Sequence, residues 1–157
     1  MAGVACHVLT ISDTRTLETD RSGHAIAALL VDEGHHVTAR SLLPDEPAQV
    51  RAQVEQILRE GIADVIITTG GTGLARRDST YEAVSDLFER HIPGFGELFR
   101  MISFEEIGAA AMLSRAAAGT VGTRAVFLLP GSEAAVQLAM SRLILPELGH
   151  IVRELRK

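Results

Sequence analysis

The chain has 157 residues, which suits one domain with a sizeable core and is too short for two. A hydrophobic fraction of 46% and a charged fraction of 22% are those of an ordinary globular protein, and a net charge of −5 argues against a general nucleic-acid binder, which would carry a basic face. No apolar run approaches the roughly 18 residues of a membrane span, no basic-then-apolar signal layout opens the chain, and the single cysteine, Cys6, has no partner for an internal disulfide, so a cytoplasmic setting is expected.

Residues 4–11 form a short β-type run. The polar stretch 12–22 follows, in which Ser22 or Asp20 can cap a helix whose apolar residues Ile26, Leu29 and Leu30 fall at i, i+3 and i+4. Glu33-Gly34 ends that helix. Residues 35–43 read as a second strand, and Pro44-Asp-Glu-Pro47 turns into a second helix, where Val50, Val54, Ile57 and Leu58 make one apolar stripe. Val65-Ile66-Ile67, inside a strand at 64–69, is a continuous apolar run of the kind buried on both faces of a parallel sheet. This β-α-β-α-β order calls for right-handed crossovers and a parallel sheet.

The core strand stops at Gly70-Gly71-Thr72-Gly73, followed by Arg76-Arg77-Asp78-Ser79-Thr80 and a helical pattern at 81–89. Glycines let the backbone take positive φ and let a ligand approach closely, and successive N–H groups in such a turn can make an anion site. A tight connection with no ligand is the alternative reading of the turn alone. Neither G-x-x-x-x-G-K-[ST] nor a G-x-G-x-x-G after the first strand occurs, so the two common phosphate-binding fingerprints are excluded.

Next comes Ile92-Pro-Gly-Phe-Gly-Glu97. Phe95, Leu98, Phe99 and Ile102 form one helical stripe, with Met101 and Phe104 off it. Two readings stand: the helix is covered by its own chain on both sides, or its second face is buried against another subunit. Residues 109–118 are rich in small side chains and contain Ser114-Arg115. Residues 124–129 are a last buried strand, ending at Pro130-Gly131-Ser132, where Ser132 caps a final helix interrupted or restarted at Pro146. No repeat or linker appears, so residues 1–157 read as a single α/β domain.

Four loops follow strand-like runs, at 12–22, 44–47, 70–80 and 130–132, and in a parallel sheet such loops gather at one edge. They carry the acids Asp13, Asp20, Asp45, Glu46 and Asp78. A carboxylate about 4 Å from a phosphate charge costs ~4 kcal/mol at an effective dielectric of about 20. Acids clustered beside a phosphate cradle therefore make sense with a divalent cation between them, for which magnesium is the natural choice. Taken singly, each acid also reads as a helix cap or a solvated loop charge. His35-His36, adjacent in the second strand, would point to opposite faces; no H-x-x-x-H or Cys/His cluster suggests zinc, and Ser132 lacks a nucleophile-elbow setting.

Thr69-Gly-Gly-Thr-Gly73, Arg77-Asp-Ser-Thr80, Pro93-Gly-Phe-Gly-Glu97, Ser114-Arg-Ala-Ala-Ala-Gly119 and Leu129-Pro-Gly-Ser132 together resemble the MoaB/MogA family, which includes the gephyrin G domain. Ser12-Asp13, Asp20-Arg-Ser-Gly23 and Pro44-Asp-Glu46 fit as well, and residues 99–108 resemble the MoaB branch. The resemblance implies a three-layer α/β fold with a mostly parallel central sheet. It implies adenylyl transfer from Mg·ATP to the terminal phosphate of molybdopterin, with release of pyrophosphate. Carried over by motif, Asp45 and Asp78 would be the functional carboxylates, holding or orienting magnesium and nucleotide. Gly70, Gly71, Thr72 and Gly73 would cradle phosphate through backbone N–H groups, and Ser12, Asp13, Glu97, Ser114, Arg115, Gly131 and Ser132 would line the nucleotide and pterin pockets. The family also implies a homo-oligomer, a hexamer in the MoaB branch or else a trimer. Tyr81 stands where the family commonly has proline, and Glu133 adds negative charge beside an expected anion site. A carrier that holds molybdopterin without turning over ATP, and an α/β domain binding some other phosphorylated ligand, are the alternatives.

Overall fold

The computed structural model describes residues 2–157. The chain runs β1 (Ala5–Ile11), α1 (Arg21–Asp32), β2 (His36–Leu43), α2 (Pro47–Glu60), β3 (Val65–Thr69), α3 (Thr80–Ser85) and β4 (Arg90–His91). It continues through α4 (Pro93–Ile107), a 3-10 segment (Gly108–Leu113), β5 (Ala117–Val121), β6 (Arg124–Leu129), α5 (Glu133–Ala139), a π-helical turn (Met140–Ile144) and α6 (Leu145–Leu155). The six strands lie in the order β2-β1-β3-β6-β5-β4; β2, β1, β3 and β6 are mutually parallel, and β5 runs antiparallel to both neighbours.

Period-2 alternation splits the buried strand residues between two cores. Val65, Ile67 and Phe127 face one side, where Ile26, Phe99 and Leu148 bring in α1, α4 and α6. Ile66, Val126 and Leu128 face the other, against Val50, Val54 and Val84 of α2 and α3. Both faces of the central strands are therefore covered, which is why β3 is apolar throughout. The result is the three-layer α/β sandwich with a mostly parallel sheet that the resemblance implied.

Two helix starts follow the expected chemistry. Asp20 caps α1, its Oδ1 accepting the Gly23 amide at 2.9 Å, and Ser132 caps α5, its Oγ accepting the Ala135 amide at 3.2 Å. Pro146 cannot donate to the carbonyl one turn back, and the helix widens into a π-turn just before it.

Three local expectations are corrected. The helix expected at 81–89 ends at Ser85, because Leu87 and Phe88 close tight turns and the Glu89 amide donates to Thr120 O, carrying the chain into β4. There Phe88 lies against Gly119, whose missing side chain leaves room for the ring; a Cβ would sit 2.2 Å from it. His35 precedes the strand: its Nδ1 accepts the Val4 amide at 3.0 Å, while His36 alone enters β2. Leu98 is half-exposed, since the buried stripe of α4 consists of Phe95, Phe99, Ile102 and Ser103 at i, i+4, i+7 and i+8, with Leu98 on its flank. Phe95 is fixed in that stripe by an edge-to-face contact with Phe127 at 5.2 Å. The outer face of α4 shows Leu98, Met101, Phe104 and Ile107, each at least 47% exposed, so this chain does not cover both sides of the helix.

Candidate functional site

The parallel strands β1, β2, β3 and β6 end at one edge of the sheet, and β5, running the other way, begins there. The loops carrying the expected site residues consequently converge, as the topology requires.

At the centre is the glycine loop after β3. Gly70 (φ 102°) and Gly71 (φ 76°) sit in the left-handed region, where a side chain is strained. Gly70 also lies under the end of β1, where a Cβ would come 2.1 Å from Ile11 O. The Gly70 amide donates to Leu129 O at 2.9 Å, so it is not part of an amide cradle, and that expectation is corrected for Gly70. The amides of Gly71, Thr72 and Gly73 find no acceptor among the described residues, and Thr72 is buried. Three successive unpaired N–H groups at a glycine turn are the kind of feature that can make a concave anion site.

The carboxylates stand beside this turn. Asp45 is 7% exposed; its Oδ1 accepts the Ser79 amide at 3.3 Å and the Ser79 hydroxyl at 2.7 Å, while Oδ2 faces Gly71, 3.0 Å from where a Cβ there would lie. Thr80 Oγ1 borders the same point at 1.9 Å and is a buried hydroxyl with no hydrogen-bond partner. Asp78 Oδ2 accepts the Ala75 amide at 3.0 Å and lies 2.8 Å from a Cβ placed on Gly73. Both glycines are thus needed to let a carboxylate approach the main chain.

Asp13 does not stand free. Arg77 donates to both its oxygens, Nε to Oδ2 at 3.1 Å and Nη2 to Oδ1 at 2.9 Å, and Nη1 reaches Glu46 Oε1 at 2.9 Å. Asp13 Oδ1 also accepts the Asp45 amide at 3.0 Å. These bonds hold the Asp13 carboxyl below the usual carboxylate range, the Arg77 bond being the larger cause, and push the Arg77 guanidinium upward. One guanidinium therefore ties the loops after β1, β2 and β3 together.

The other expected residues divide between two clefts on either side. Glu97, Ser114 and Arg115 line the larger, about 540 Å³, with Tyr81, His91 and Arg100. Ser12, Gly131 and Ser132 line the smaller, about 350 Å³, with Arg15, Asp20 and Thr69. Ser12 Oγ is already occupied by the Thr14 and Arg15 amides, at 3.2 and 3.0 Å, and so shapes its loop. Gly131 packs within 3.5 Å of Gly70, measured from a Cβ on the former to Cα of the latter, which joins this cleft to the glycine turn. The glycine turn touches both clefts, through Gly131 of the smaller beside Gly70 and through Arg115 of the larger, which bonds to Gly73 O.

Sequence reading missed three participants. Arg77 was visible as part of a basic pair, but its acidic partners lie 64 and 31 residues away. Thr80 was visible as part of a motif and gave no sign that its hydroxyl would be buried. Asp20 does more than cap: Thr10 Oγ1 donates to its Oδ2 at 2.6 Å, and Arg40 Nη2 stands 3.2 Å from the same oxygen. Among the described residues no three His, Cys, Asp or Glu side chains gather as a metal cluster, and no helix is long and apolar enough to cross a membrane.

Comparison with known proteins places nearly the whole chain. Residues 7–150 match a family described as a probable molybdopterin binding domain. The chain is 52% identical to molybdenum cofactor biosynthesis protein B of Bacillus cereus, over 98% of this chain and 92% of that protein. A crystal structure of a molybdenum cofactor biosynthesis protein B superposes with a TM-score of 0.95 at 52% identity, covering 98% of this chain and 96% of the other. The tungsten cofactor synthesizing protein MoaB from Pyrococcus furiosus superposes with a TM-score of 0.88 at 35% identity, covering 99% and 98%. With nearly its whole length matched, the chain belongs to the molybdopterin-binding domain family of the MoaB and MogA proteins.

Proposed function

We propose that this protein serves molybdenum cofactor biosynthesis as a molybdopterin adenylyltransferase, transferring AMP from ATP to the terminal phosphate of molybdopterin with release of pyrophosphate. The observation that carries the reading is the pairing of an unsatisfied amide run at residues 71–73 with two carboxylates, Asp45 and Asp78, at a glycine turn that touches two clefts. One cleft on each side gives two substrates separate places, with their phosphates meeting at the glycine turn. Such a transfer requires alignment and charge neutralisation and no protein nucleophile.

The residues fit a magnesium ion. All donors are hard oxygens, Asp45 Oδ2 has no protein hydrogen-bond donor, and the neighbouring Thr80 Oγ1 is an orphaned buried hydroxyl. Asp45 and Asp78 would hold it, and when bound it neutralises charge on the phosphate oxygens. The chain itself binds phosphate oxygens through the amides of Gly71, Thr72 and Gly73 and fixes Asp45 through Ser79. Arg77, paired with Asp13 and Glu46, holds three loops in register around the phosphates.

The exposed apolar face of α4 is proposed to pack against a second copy in a homo-oligomer, a hexamer or else a trimer, since a stripe of four large apolar side chains on one helix marks an association surface. A cytoplasmic location accords with the buried free thiol of Cys6. The test of function is pyrophosphate release from Mg·ATP with and without molybdopterin, for wild type and Asp45→Asn. Pterin-dependent release that disappears in the variant is expected; a folded wild type that binds pterin and releases none would leave the carrier role in its place.

A further inference from the structure

Arg115 stands at the boundary between the larger cleft and the glycine loop. Its Nε and Nη2 both donate to Gly73 O, at 3.1 and 2.8 Å, and Nη2 also donates to Asp78 O at 3.0 Å. Nη1 is held by Glu82, and the guanidinium lies 5.4 Å from the centre of the Tyr81 ring. Its backbone amide donates to Thr72 O at 3.2 Å. The side chain lines the cleft, yet its four hydrogen bonds all return to the protein, leaving little donor capacity for a substrate.

What those bonds do follows from the planarity of the peptide. In a trans peptide the C=O of one residue and the N–H of the next point in opposite directions. The backbone amide of Arg115, which any residue but proline would supply, holds Thr72 O and so turns the Gly73 N–H, one of the three unpaired amides, away from it, while the side chain holds the next carbonyl, Gly73 O. Holding Asp78 O toward Arg115 turns the Ser79 N–H the other way, and that N–H donates to Asp45 Oδ1. One residue thus sets both a cradle amide and the donor that fixes the central carboxylate. The planar fork of arginine can bridge two carbonyls, which a single ammonium cannot do in the same geometry.

We propose that the Arg115 side chain is a positioning group, which anchors the glycine loop at Gly73 O and orients the Asp78–Ser79 peptide so that the loop and Asp45 are held ready, and that it is not itself a substrate ligand. The kinetic arm of its test rests on the adenylyl-transfer reading; the structural arm does not. In Arg115→Met, amide hydrogen exchange at Ser79 and Thr80 is expected to rise at least about tenfold as the loop loses its anchor. With Mg·ATP and molybdopterin, kcat is expected to fall by roughly 10- to 100-fold, the usual cost of removing an outer support of a site, with KM for both substrates within about threefold of wild type. Arg115→Lys should fall between the two in both measurements, and it carries the test should the methionine variant fail to fold. Unchanged exchange in the variants overturns the proposal, as does a rise in KM at constant kcat, which would make Arg115 a direct ligand. A wild type without turnover would remove the adenylyl-transfer reading and leave the exchange measurement to decide the role of Arg115.

Discussion

Gly71→Ala tests the central turn most directly. The native φ of 76° lies where an L side chain costs about 1–2 kcal/mol. The new Cβ would also sit 1.9 Å from Thr80 Oγ1, 2.8 Å from Thr80 Cβ and 3.0 Å from Asp45 Oδ2. Thr80 is fully buried and opens α3, so it cannot swing into solvent, and overpacking of this kind costs roughly 1–3 kcal/mol. The two effects together predict a loss of about 2–5 kcal/mol. For a chain of this length each kcal/mol lowers Tm by roughly 2–4 °C, so a fall of about 4–20 °C is expected by scanning calorimetry or circular dichroism. Gly73→Ala is the matched control. Its φ is ordinary, and its Cβ would meet only the end of the Asp78 side chain, at 2.8 Å from Oδ2, which can rotate away. It should leave Tm nearly unchanged while displacing the Asp78 carboxylate and impairing the proposed reaction. A Gly71→Ala protein that melts within about 2 °C of wild type would refute the close packing of Thr80 and Asp45 on this glycine.

Two further outcomes are expected. Burial lowers the pKa of His7 and of His35, against an opposing pull from Glu60 and Glu33 respectively, and His35 Nδ1 must be unprotonated to accept the Val4 amide. The unfolded chain therefore binds these protons more readily, so their contribution is complete above the ordinary imidazole value near 6.5 and is lost as pH falls through the lower folded values. Urea midpoints should drop as pH falls below about 6.5, with a smaller drop in a His7→Gln/His35→Gln double variant; an equal drop in both would assign the effect to other groups. Phe104→Glu places a charge on the outer face of α4, where Phe104 is 60% exposed, and should split the assembly in sedimentation while leaving the monomer folded; an unchanged profile would show that this face is not an interface.

The first two-thirds of the sheet was legible because its elements advertise themselves locally. The stripe of Val50, Val54, Ile57 and Leu58 and the run Val65-Ile66-Ile67 each have one physical solution, and all are buried except Leu58, which is half-buried against the core. β4 and β5 were not legible. β4 has only Arg90 and His91, and β5 is Ala-Ala-Gly-Thr-Val, so neither shows alternation; they become strands because Phe88 and Gly119 fit together across the pair. The site divided in the same way. Asp45 and Asp78 could be singled out because each closely follows a strand, and a parallel sheet brings such positions to one edge. The roles of Arg77 and Arg115 could not, because their partners lie 31 to 64 residues away and no local pattern records a side chain reaching a distant carbonyl or carboxylate.

On the proposed reading, the commitment of these two arginines also bears on the part a cation would play. Four acids, Asp13, Asp45, Glu46 and Asp78, surround a turn whose amides suit an anion, and a nucleotide approaching them meets repulsion of order several kcal/mol for each unscreened charge. Arg77 would relieve this if it were free, but it is spent on Asp13 and Glu46, one positive charge against two negative. Arg115 is equally committed, to Glu82 and to loop carbonyls. Among the hydrogen bonds and ion pairs of the described residues, none joins a guanidinium or ammonium group to the carboxylate of Asp45 or Asp78. On the proposed adenylyl-transfer reading, phosphate would enter such a place together with a divalent ion, which would make nucleotide binding and metal binding one event. The arginines have been used for geometry, and the charge balance is left to the ligand.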